Sequence, residues 1–303
     1  MPLPAIMHFA LIKSARPAFL VLGPVTVSLA VAVAHWKGAP LDPGLILLIL
    51  LVAVVAHTSA NAFNEYFDFR SGLDQQTKRT PFSGGSGLLP EQPELAGHVL
   101  GLAWSSLVLS SALGLYLALA HQPALLPLGL LGVGLVYGYT RWLNRSAWLC
   151  YLAPGLGFGA VIYAGSSWLL SGSLQGIDLL IALVVGLLAS NLLLLNQIPD
   201  IEADRQVGRR HLAIQVGARR AAMIHAIASA LVFALLAYGL LSDRLPLTVM
   251  LALIPAGLLP ALLTRTLGKQ LTMPRLVQAL GVNVAMTLLL PILLGVGLWW
   301  SAA

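Results

Sequence analysis

The chain has 303 residues, of which 58% are hydrophobic and only 9% are charged. A soluble domain carries about 25% charged residues, so this composition excludes an ordinary water-soluble protein and indicates a membrane domain. The net charge of +6 does not indicate nucleic-acid binding, because the Lys and Arg residues lie in short segments between apolar runs. The single cysteine, Cys150, excludes a disulfide within the chain and a cysteine-based zinc site.

Nine apolar runs approach the ~20 residues that a helix needs to cross a bilayer. They are predicted at residues 17–36, 45–66, 98–120, 123–140, 147–170, 177–197, 219–241, 246–265 and 276–300. Such long runs favour helices over strands. The first is predicted to be a membrane helix and not a signal peptide, because no clear cleavage site ends it. We therefore predict an all-α integral membrane protein whose residues 1–303 form one domain, a bundle of nine transmembrane helices.

The basic residues predict the orientation of this bundle. The N-terminal segment and the loops after the second, fourth, sixth and eighth runs hold 15 of the 17 Lys and Arg residues, whereas the opposite side holds only Lys37 and Arg244. Cytoplasmic loops carry such an excess of positive charge. The sequence therefore predicts a multi-pass protein of the cytoplasmic (inner) membrane with a cytoplasmic N-terminus.

Acidic residues gather on the same side, within two related motifs. The first motif contains Asn64 and Asp68, which are four residues apart and share a helical face. Asp74 follows Gly72, where the helix is expected to end. The second motif contains Asn196, Asp200 and Asp204, again four residues apart and predicted to share a face. An offset of 132 residues places Asn64 and Asp68 on Asn196 and Asp200, so the two motifs form a weak internal repeat.

The residue types in these motifs indicate a magnesium site. Carboxylate and amide oxygens are the ligands that Mg²⁺ prefers, and Mg²⁺ is commonly held by one or two carboxylates together with substrate phosphates. Basic residues that could neutralise a diphosphate lie beside both motifs: Arg70, Lys78, Arg79, Arg205, Arg209 and Arg210. The segment 80–87, rich in Gly and Ser, is expected to be a flexible loop whose N–H groups could meet phosphate oxygens.

The remaining acidic residues are predicted to have ordinary roles. Glu65 and Glu202 lie off the shared helical faces and are interpreted as solvated boundary residues. Glu91 and Glu94 are expected in a solvated loop. A loop or helix-capping role on the far side of the membrane is expected for three further residues: Asp42, Asp178 and Asp243.

These motifs resemble those of the UbiA superfamily of intramembrane prenyltransferases, which has nine transmembrane helices and one Asp-rich motif after each of the second and sixth. Asn64, Asp68 and Asp74 match the first motif, and Asp200 and Asp204 match the second, with Asn196 at its head. The stretch 196–212, with its basic pair after Gly208, is most similar to the branch that prenylates 1,4-dihydroxy-2-naphthoate for menaquinone.

Two departures leave the acceptor open. Tyr137 and Arg141 have the spacing of a Tyr-x-x-x-Lys motif in the 4-hydroxybenzoate branch, with Arg in place of Lys. The segment 144–149 lacks the acidic residue that the naphthoate branch usually carries there.

The resemblance implies an active site at the cytoplasmic end of the bundle with two Mg²⁺ ions. Asn64 and Asp68 would serve one ion with Asp74 nearby, and Asp200 and Asp204 would serve the other with Asn196 in support. The resemblance and the residue types together suggest further roles. Arg141 could orient a carboxylated acceptor, and an aromatic ring could face the allylic cation; the candidate rings are Tyr137, Tyr139 and Tyr66.

The expected partners are a prenyl diphosphate, an aromatic acceptor and the lipid bilayer, with no nucleic acid and no obligate protein partner. Alternative acceptors are 4-hydroxybenzoate, homogentisate, haem and a lipid alcohol. A secondary transporter is the alternative from another class, because transporters also combine many helices with internal repeats. The acidic residues lie at one edge of the membrane and not near the midplane, which favours the enzyme.

Overall fold

The structure, a computed structural model, describes residues 5–77, 79–268 and 271–302. Within these residues nine helices are long and apolar enough to cross a membrane. We number them span 1 to span 9 in chain order: Pro17–Trp36, Pro43–Ser71, Pro93–His121, Pro123–Arg141, Ala147–Ser171, Gly176–Asn196, Ala218–Leu241, Leu247–Thr266 and Met273–Ala302. The predicted all-α membrane fold with nine spans is confirmed.

Several spans are composite. Span 1 joins Pro17–Leu20 to Leu22–Trp36, and spans 3 and 4 begin with the 3₁₀ turns Pro93–Leu95 and Pro123–Leu125. Span 5 contains a π-helix at Leu156–Ala164, and most of span 8 is a 3₁₀-helix, Leu247–Leu258. Short elements outside the spans complete the described fold: the helices Ala5–Ser14, Leu88–Glu91, Ile201–Gln206 and Leu212–Val216, and the 3₁₀ turns Leu73–Gln75 and Leu143–Arg145.

The spans pack around a buried apolar core. Span 6 lies between spans 5 and 7, span 9 packs on spans 1 and 8, and span 2 packs on spans 3 and 4. One large cluster joins spans 1, 6, 7 and 9 through residues such as Val27, Ile181, Leu236 and Leu294, all of which are fully buried. The outer faces remain apolar, as in exposed Leu47 and Leu130, because they would lie against lipid.

Glycines bring spans 5 and 6 close together. A Cβ atom added to Gly159 would lie 2.3 Å from the carbonyl oxygen of Ala182, and one added to Gly155 would lie 2.6 Å from Ser190 Oγ. Small residues allow such close approach of helices in membranes. Span 6 is therefore held in one position against span 5, and span 6 leads directly into the second acidic motif.

The end of the bundle opposite the motifs carries two helix caps. Asp42 Oδ1 accepts a hydrogen bond of 2.8 Å from Gly44 N at the start of span 2. Asp178 forms a capping box with Gln175 at the start of span 6 and a buried ion pair with Lys37. Asp243 lies in the turn after span 7 in the left-handed region, at φ 56°. The loop and capping roles predicted for these acidic residues are confirmed.

The chain path at the second motif differs from the prediction. Asn196, Asp200 and Asp204 do not share one helical face, because span 6 ends at Asn196 and a separate helix, Ile201–Gln206, begins after Asp200. Pro199 explains the break, since proline has no N–H to donate and disfavours helical backbone in the residue before it. At the first motif the prediction is confirmed: the last residue of span 2 is Ser71, and Gly72 caps the helix with φ 78°.

Candidate functional site

The two acidic motifs meet at Arg209. Its Nη1 donates to Asp204 Oδ1 at 2.8 Å, and its Nη2 donates to Asp68 Oδ1. Both carboxylates are buried, and 17% of the Arg209 side chain is exposed. Asp68 and Arg209 lie 141 positions apart in the chain, so this contact joins two distant segments. The two motifs therefore face each other, and Arg209 separates carboxylates that would otherwise repel each other.

The first motif is held in place by span 4. Asn64 Nδ2 donates to Asp68 Oδ2 at 3.0 Å and to Thr140 Oγ1 at 3.2 Å. The predicted pairing of Asn64 with Asp68 across one helical turn is therefore present. Thr140, which is buried near the end of span 4, was not predicted to contact the site, because its sequence neighbours carry no acidic or amide pattern.

Asp204 has a second partner that the sequence analysis did not assign. Its Oδ2 lies 2.7 Å from His211 Nε2, and both side chains are buried. His211 precedes the short helix Leu212–Val216 and follows the basic pair Arg209 and Arg210. A neutral or charged imidazole can donate this hydrogen bond, so His211 orients the carboxylate that Arg209 also holds.

Asp74 has a buried carboxylate oxygen that is free to bind a ligand. It lies on the 3₁₀ turn Leu73–Gln75, and its Oδ2 is buried without a hydrogen-bond partner among the described residues. Burial, reinforced by the nearby Asp68 and Glu65 carboxylates, raises the pKa of Asp74 to about 7. The backbone of Gly85 packs against this carboxylate so closely that a Cβ there would lie 2.8 Å from Asp74 Oδ1.

Asp200 and Asn196 stand at the two ends of the break in the second motif. Burial and the neighbouring Asp204 carboxylate raise the pKa of Asp200 to about 7, while the positive charge of Arg209 opposes the rise. Asn196 Oδ1 is buried and has no hydrogen-bond partner among the described residues. Both residues therefore present oxygen atoms that can bind a cation or accept a hydrogen bond.

The other predicted basic residues lie on the outside of the site. Arg79 pairs with Glu91, and Arg205 pairs with Glu202, each at 2.9 Å between exposed side chains. Arg210 is exposed, and its backbone N–H donates to the carbonyl of Asn144 at 2.9 Å. Arg70 is exposed at the end of span 2. Lys78 lies outside the described residues. The solvated roles predicted for Glu91, Glu94 and Glu202 are confirmed.

Arg141 lies in an aromatic group at the end of span 4. Its Nη1 donates to Tyr137 Oη, and its guanidinium lies 5.4 to 6.0 Å from the ring centroids of Phe67, Tyr137 and Trp142. Its side chain is exposed. The structure therefore places the predicted Tyr137 and Arg141 pair together, in contact with each other.

The other two candidate tyrosines lie in different surroundings. Tyr139 is hydrogen-bonded to Cys150 and Gln197, at 3.4 Å each. Tyr66 packs edge-on against Phe67, with a centroid separation of 5.5 Å. Of the two, Tyr139 is the one whose hydrogen bonds reach the residue that follows Asn196.

Glu65 contradicts its prediction. It was interpreted as a solvated boundary residue, but its side chain is completely buried and bound by Arg16 and Ser86. The reason is that the segments 10–16 and 79–87 fold over this face of span 2, which the pattern within the helix does not reveal. The segment 80–87 is likewise a structured turn, since Thr80 Oγ1 accepts from the N–H groups of Phe82 and Ser83.

The donor set suits a hard divalent cation that shares its ligands with a substrate. Among the described residues no three His, Cys, Asp or Glu side chains lie together in a group that could hold a metal ion by itself. The unpartnered buried oxygens of Asp74 and Asn196, beside the carboxylates of Asp68, Asp200 and Asp204, supply only oxygen ligands. Mg²⁺ characteristically takes a few such ligands and completes its shell with water and phosphate oxygens, so these residues fit Mg²⁺.

Comparisons with known proteins agree with this arrangement. The profile of the UbiA prenyltransferase family matches residues 21–275. The chain is 29% identical to 1,4-dihydroxy-2-naphthoate octaprenyltransferase of Bacillus subtilis over 224 residues, covering 72% of this chain and 69% of the relative. It is 30% identical to the Escherichia coli protein of the same name over 229 residues, covering 72% and 71%.

Solved structures share the fold. A UbiA homolog from Aeropyrum pernix aligns with a TM-score of 0.68 at 21% identity, covering 92% of this chain and 98% of that one. A UbiA homolog from Archaeoglobus fulgidus, bound to DMAPP and Mg²⁺, aligns with a TM-score of 0.65 at 19% identity, covering 94% and 99%. The nine-span arrangement is therefore one that solved membrane proteins adopt.

Proposed function

The chain belongs to the UbiA prenyltransferase family, and on that premise we propose that it transfers a prenyl group from an allylic prenyl diphosphate to 1,4-dihydroxy-2-naphthoate in menaquinone biosynthesis. It is an intramembrane prenyltransferase, so the transporter alternative no longer stands. The naphthoate acceptor is supported by the Bacillus subtilis and Escherichia coli relatives, both named for that substrate.

One observation carries the proposal: Arg209 joins Asp68 of the first motif to Asp204 of the second. A diphosphate needs positive charge around its oxygens, and metal ions bound by two opposed carboxylate groups supply it. Because the motifs already meet around the Arg209 guanidinium, a single diphosphate can contact ligands from both motifs. This supports one binding site built from two halves of the chain.

We assign the metal ligands to the oxygen donors at this meeting point: Asn64, Asp68, Asp74, Asp200 and Asp204, with Asn196 in support. Mg²⁺, with two ions expected, would draw electron density from the diphosphate and so make it a better leaving group. The relative from Archaeoglobus fulgidus bound to DMAPP and Mg²⁺ supports the use of this metal.

The protein side chains would act on the leaving group and the acceptor. Arg209 would donate hydrogen bonds to the diphosphate oxygens as the bond between C1 of the prenyl chain and oxygen breaks, with the bonding electrons leaving on the diphosphate. Arg210, on the outside of the site, would add positive charge near it. Lys78, Arg79 and Arg205 would strengthen the positive field at the entrance. His211 would keep Asp204 oriented, and Asn64 would do the same for Asp68.

The allylic carbon would then be attacked by an electron-rich carbon of the acceptor ring, and the ring would lose a proton or its carboxylate as CO₂. Arg141 would orient the acceptor carboxylate, and Tyr137 would hold Arg141 through the hydrogen bond between them. The apolar faces of the spans would enclose the prenyl tail and exclude water from the cation.

The same proposal places the protein in the cytoplasmic membrane as one domain with the motifs on the cytoplasmic side. The excess of Lys and Arg at the end of the bundle that carries the motifs supports this orientation. Prenyl chains would remain in the bilayer, and the charged groups of both substrates would meet at its cytoplasmic edge.

The test is a product assay with purified protein, Mg²⁺ and a prenyl diphosphate. Each acceptor is supplied separately, and products are identified by mass: 1,4-dihydroxy-2-naphthoate, 4-hydroxybenzoate and homogentisate. We expect a prenylated product from the naphthoate at the highest kcat/KM. A higher kcat/KM with another acceptor would refute the naphthoate assignment and keep the reaction class.

A further inference from the structure

Glu65 is a buried carboxylate that the proposed diphosphate site does not use. Successive helical residues point about 100° apart, so Glu65 faces away from its neighbour Asn64. Its Oε2 accepts from Ser86 N at 3.1 Å and from Arg16 Nη2 at 3.2 Å, and its Oε1 accepts from Ser86 Oγ. The side chain is 0% exposed. Burying a carboxylate is costly unless it is paired in this way.

Span 2 holds the preceding segment at two points. Asn61, one helical turn before Glu65, donates from Nδ2 to the carbonyl of Ala15 at 2.8 Å. Arg16 itself adopts φ 51°, a left-handed conformation that is costly for a residue with a side chain. Such a conformation persists where surrounding contacts impose it, and the contacts of Asn61 and Glu65 do so here.

The loop 79–87 that Glu65 binds also contacts the first acidic motif. A Cβ atom added to Gly85 would lie 2.8 Å from Asp74 Oδ1, so the loop backbone packs directly against this carboxylate. Phe82 packs on Gly281 of span 9, 3.4 Å from the position of an added Cβ. The loop thus lies across the site, and Ser86 is its attachment to span 2.

We propose that Glu65 is a positioning residue that fixes Arg16 and the loop 79–87 beside the diphosphate site. It acts through Ser86 and Arg16 and touches neither substrate. This role rests on the proposed function for its substrate, a prenyl diphosphate. We call the contacts of Glu65 with Ser86 and Arg16 the tether. Because the tether organises the binding site before reaction, its loss should weaken substrate binding and leave the chemical step intact.

The kinetic test compares Glu65→Gln, Ser86→Ala and the double variant with wild type. Hydrogen bonds to a charged group are worth about 1.5 to 3 kcal/mol, so each single variant should raise KM for prenyl diphosphate about tenfold or more. kcat should change by less than about twofold. The KM of the double variant should be no higher than that of the poorer single variant, since both substitutions remove the same contact between Glu65 and Ser86. Glu94→Gln, an exposed glutamate on the same side, should keep wild-type constants.

A second readout does not depend on catalysis. Trypsin cleavage after Arg79, followed by mass spectrometry of the fragment, reports how firmly the loop is held. Glu65→Gln and Ser86→Ala should be cut several times faster than wild type and Glu94→Gln, because the loop opens more often. If the protein transfers prenyl groups to no acceptor, the proposed function fails. The cleavage rates still show whether Glu65 and Ser86 hold the loop in place. Wild-type cleavage rates, wild-type KM in both single variants, or additive effects in the double variant would overturn the proposal.

Discussion

Arg209 places one positive charge between two carboxylates that come from distant parts of the chain. Its surroundings are largely buried, so the charges attract strongly, and His211 supplies a further hydrogen bond to Asp204. In this arrangement the guanidinium neutralises the acidic groups in the absence of a metal. Under the proposed function the same guanidinium would contact the diphosphate, so that metal binding and substrate binding would involve the same side chains.

Removing one ligand from either motif should abolish catalysis. Asp68→Ala and Asp200→Ala are each expected to lower Mg²⁺-dependent prenyl transfer by about 100-fold or more, because charge stabilisation of the leaving group is lost. Product formation is measured by mass, and size-exclusion chromatography in detergent checks that each variant is folded. Glu94→Ala is the control and should keep wild-type turnover. Wild-type turnover by either aspartate variant would contradict the assignment.

The raised pKa values of Asp74 and Asp200 predict a pH dependence. Burial raises the pKa of both carboxyls to about 7, above the ordinary value of 3.8. The folded state therefore binds more protons than the unfolded state between these values, and stability from these groups falls as the pH rises. Mg²⁺ bound at these carboxylates would favour the ionised forms and compete with protons.

Thermal unfolding with and without Mg²⁺ tests this dependence. The increase in Tm on adding Mg²⁺ should be larger at pH 8 than at pH 6, because the carboxyls are ionised only at the higher pH. Asp74→Asn should reduce the difference between the two pH values. An equal increase in Tm at both pH values in the wild-type protein would show that these carboxyls do not bind the metal.

Single residues differ in how far the sequence reveals their role. Asn64, Asp68, Asp74, Asp200 and Asp204 could be proposed as site residues because acidic residues are rare in this chain and the spacing of the motifs repeats. Arg209 could not be separated from the other basic residues, since all lie within a few positions of a motif. Glu65, Thr140 and His211 gain their contacts from segments distant in the chain, and periodicity within one helix cannot report those.

At the scale of elements, the two motifs are built differently despite their matching spacing. The first lies on a continuous helix that ends at Gly72, and the second is divided by Pro199 into the end of span 6 and a new short helix. The prediction of a shared face ignored the proline, and a bend there was the physically expected result. The bend lets Asp204 turn back towards Asp68 through Arg209.

The contact between spans 5 and 6 offers a matched pair of substitutions. Gly159→Ala places a methyl group 2.3 Å from the Ala182 carbonyl oxygen, whereas the same change at Gly157 meets no atom within 4 Å. Overpacking of this kind costs about 1 to 3 kcal/mol, so Gly159→Ala should lower the Tm of the detergent-solubilised protein by several degrees. Gly157→Ala should leave it unchanged. Equal Tm values for the two variants would contradict the close packing of these spans.

For the whole molecule, the sequence could predict the number of spans and their order because apolar length and basic charge are strong signals in membrane proteins. The predicted ends differ from those of the structure by only a few residues, most clearly at span 2, which extends to Ser71. Packing between spans could not be predicted, since nearly every face of each helix is apolar.

The proposed orientation can be tested with reporter fusions. Alkaline phosphatase, which is active only outside the cytoplasm, should be inactive when fused after Arg145, between spans 4 and 5. It should be active after Ser173, between spans 5 and 6. A green fluorescent protein should give the opposite pattern. The reverse result for both reporters would place the acidic motifs on the outer side and refute the orientation.

In the proposed function, both acidic motifs together form one diphosphate site. Calorimetric titration of an unreactive prenyl thiolodiphosphate in the presence of Mg²⁺ measures this site directly, without chemistry, in the wild-type protein and in Asp68→Asn and Asp200→Asn. We expect one binding event in wild type and an affinity loss of about tenfold or more in each variant. Wild-type affinity in either variant would contradict it, because one motif would then bind the diphosphate without the other.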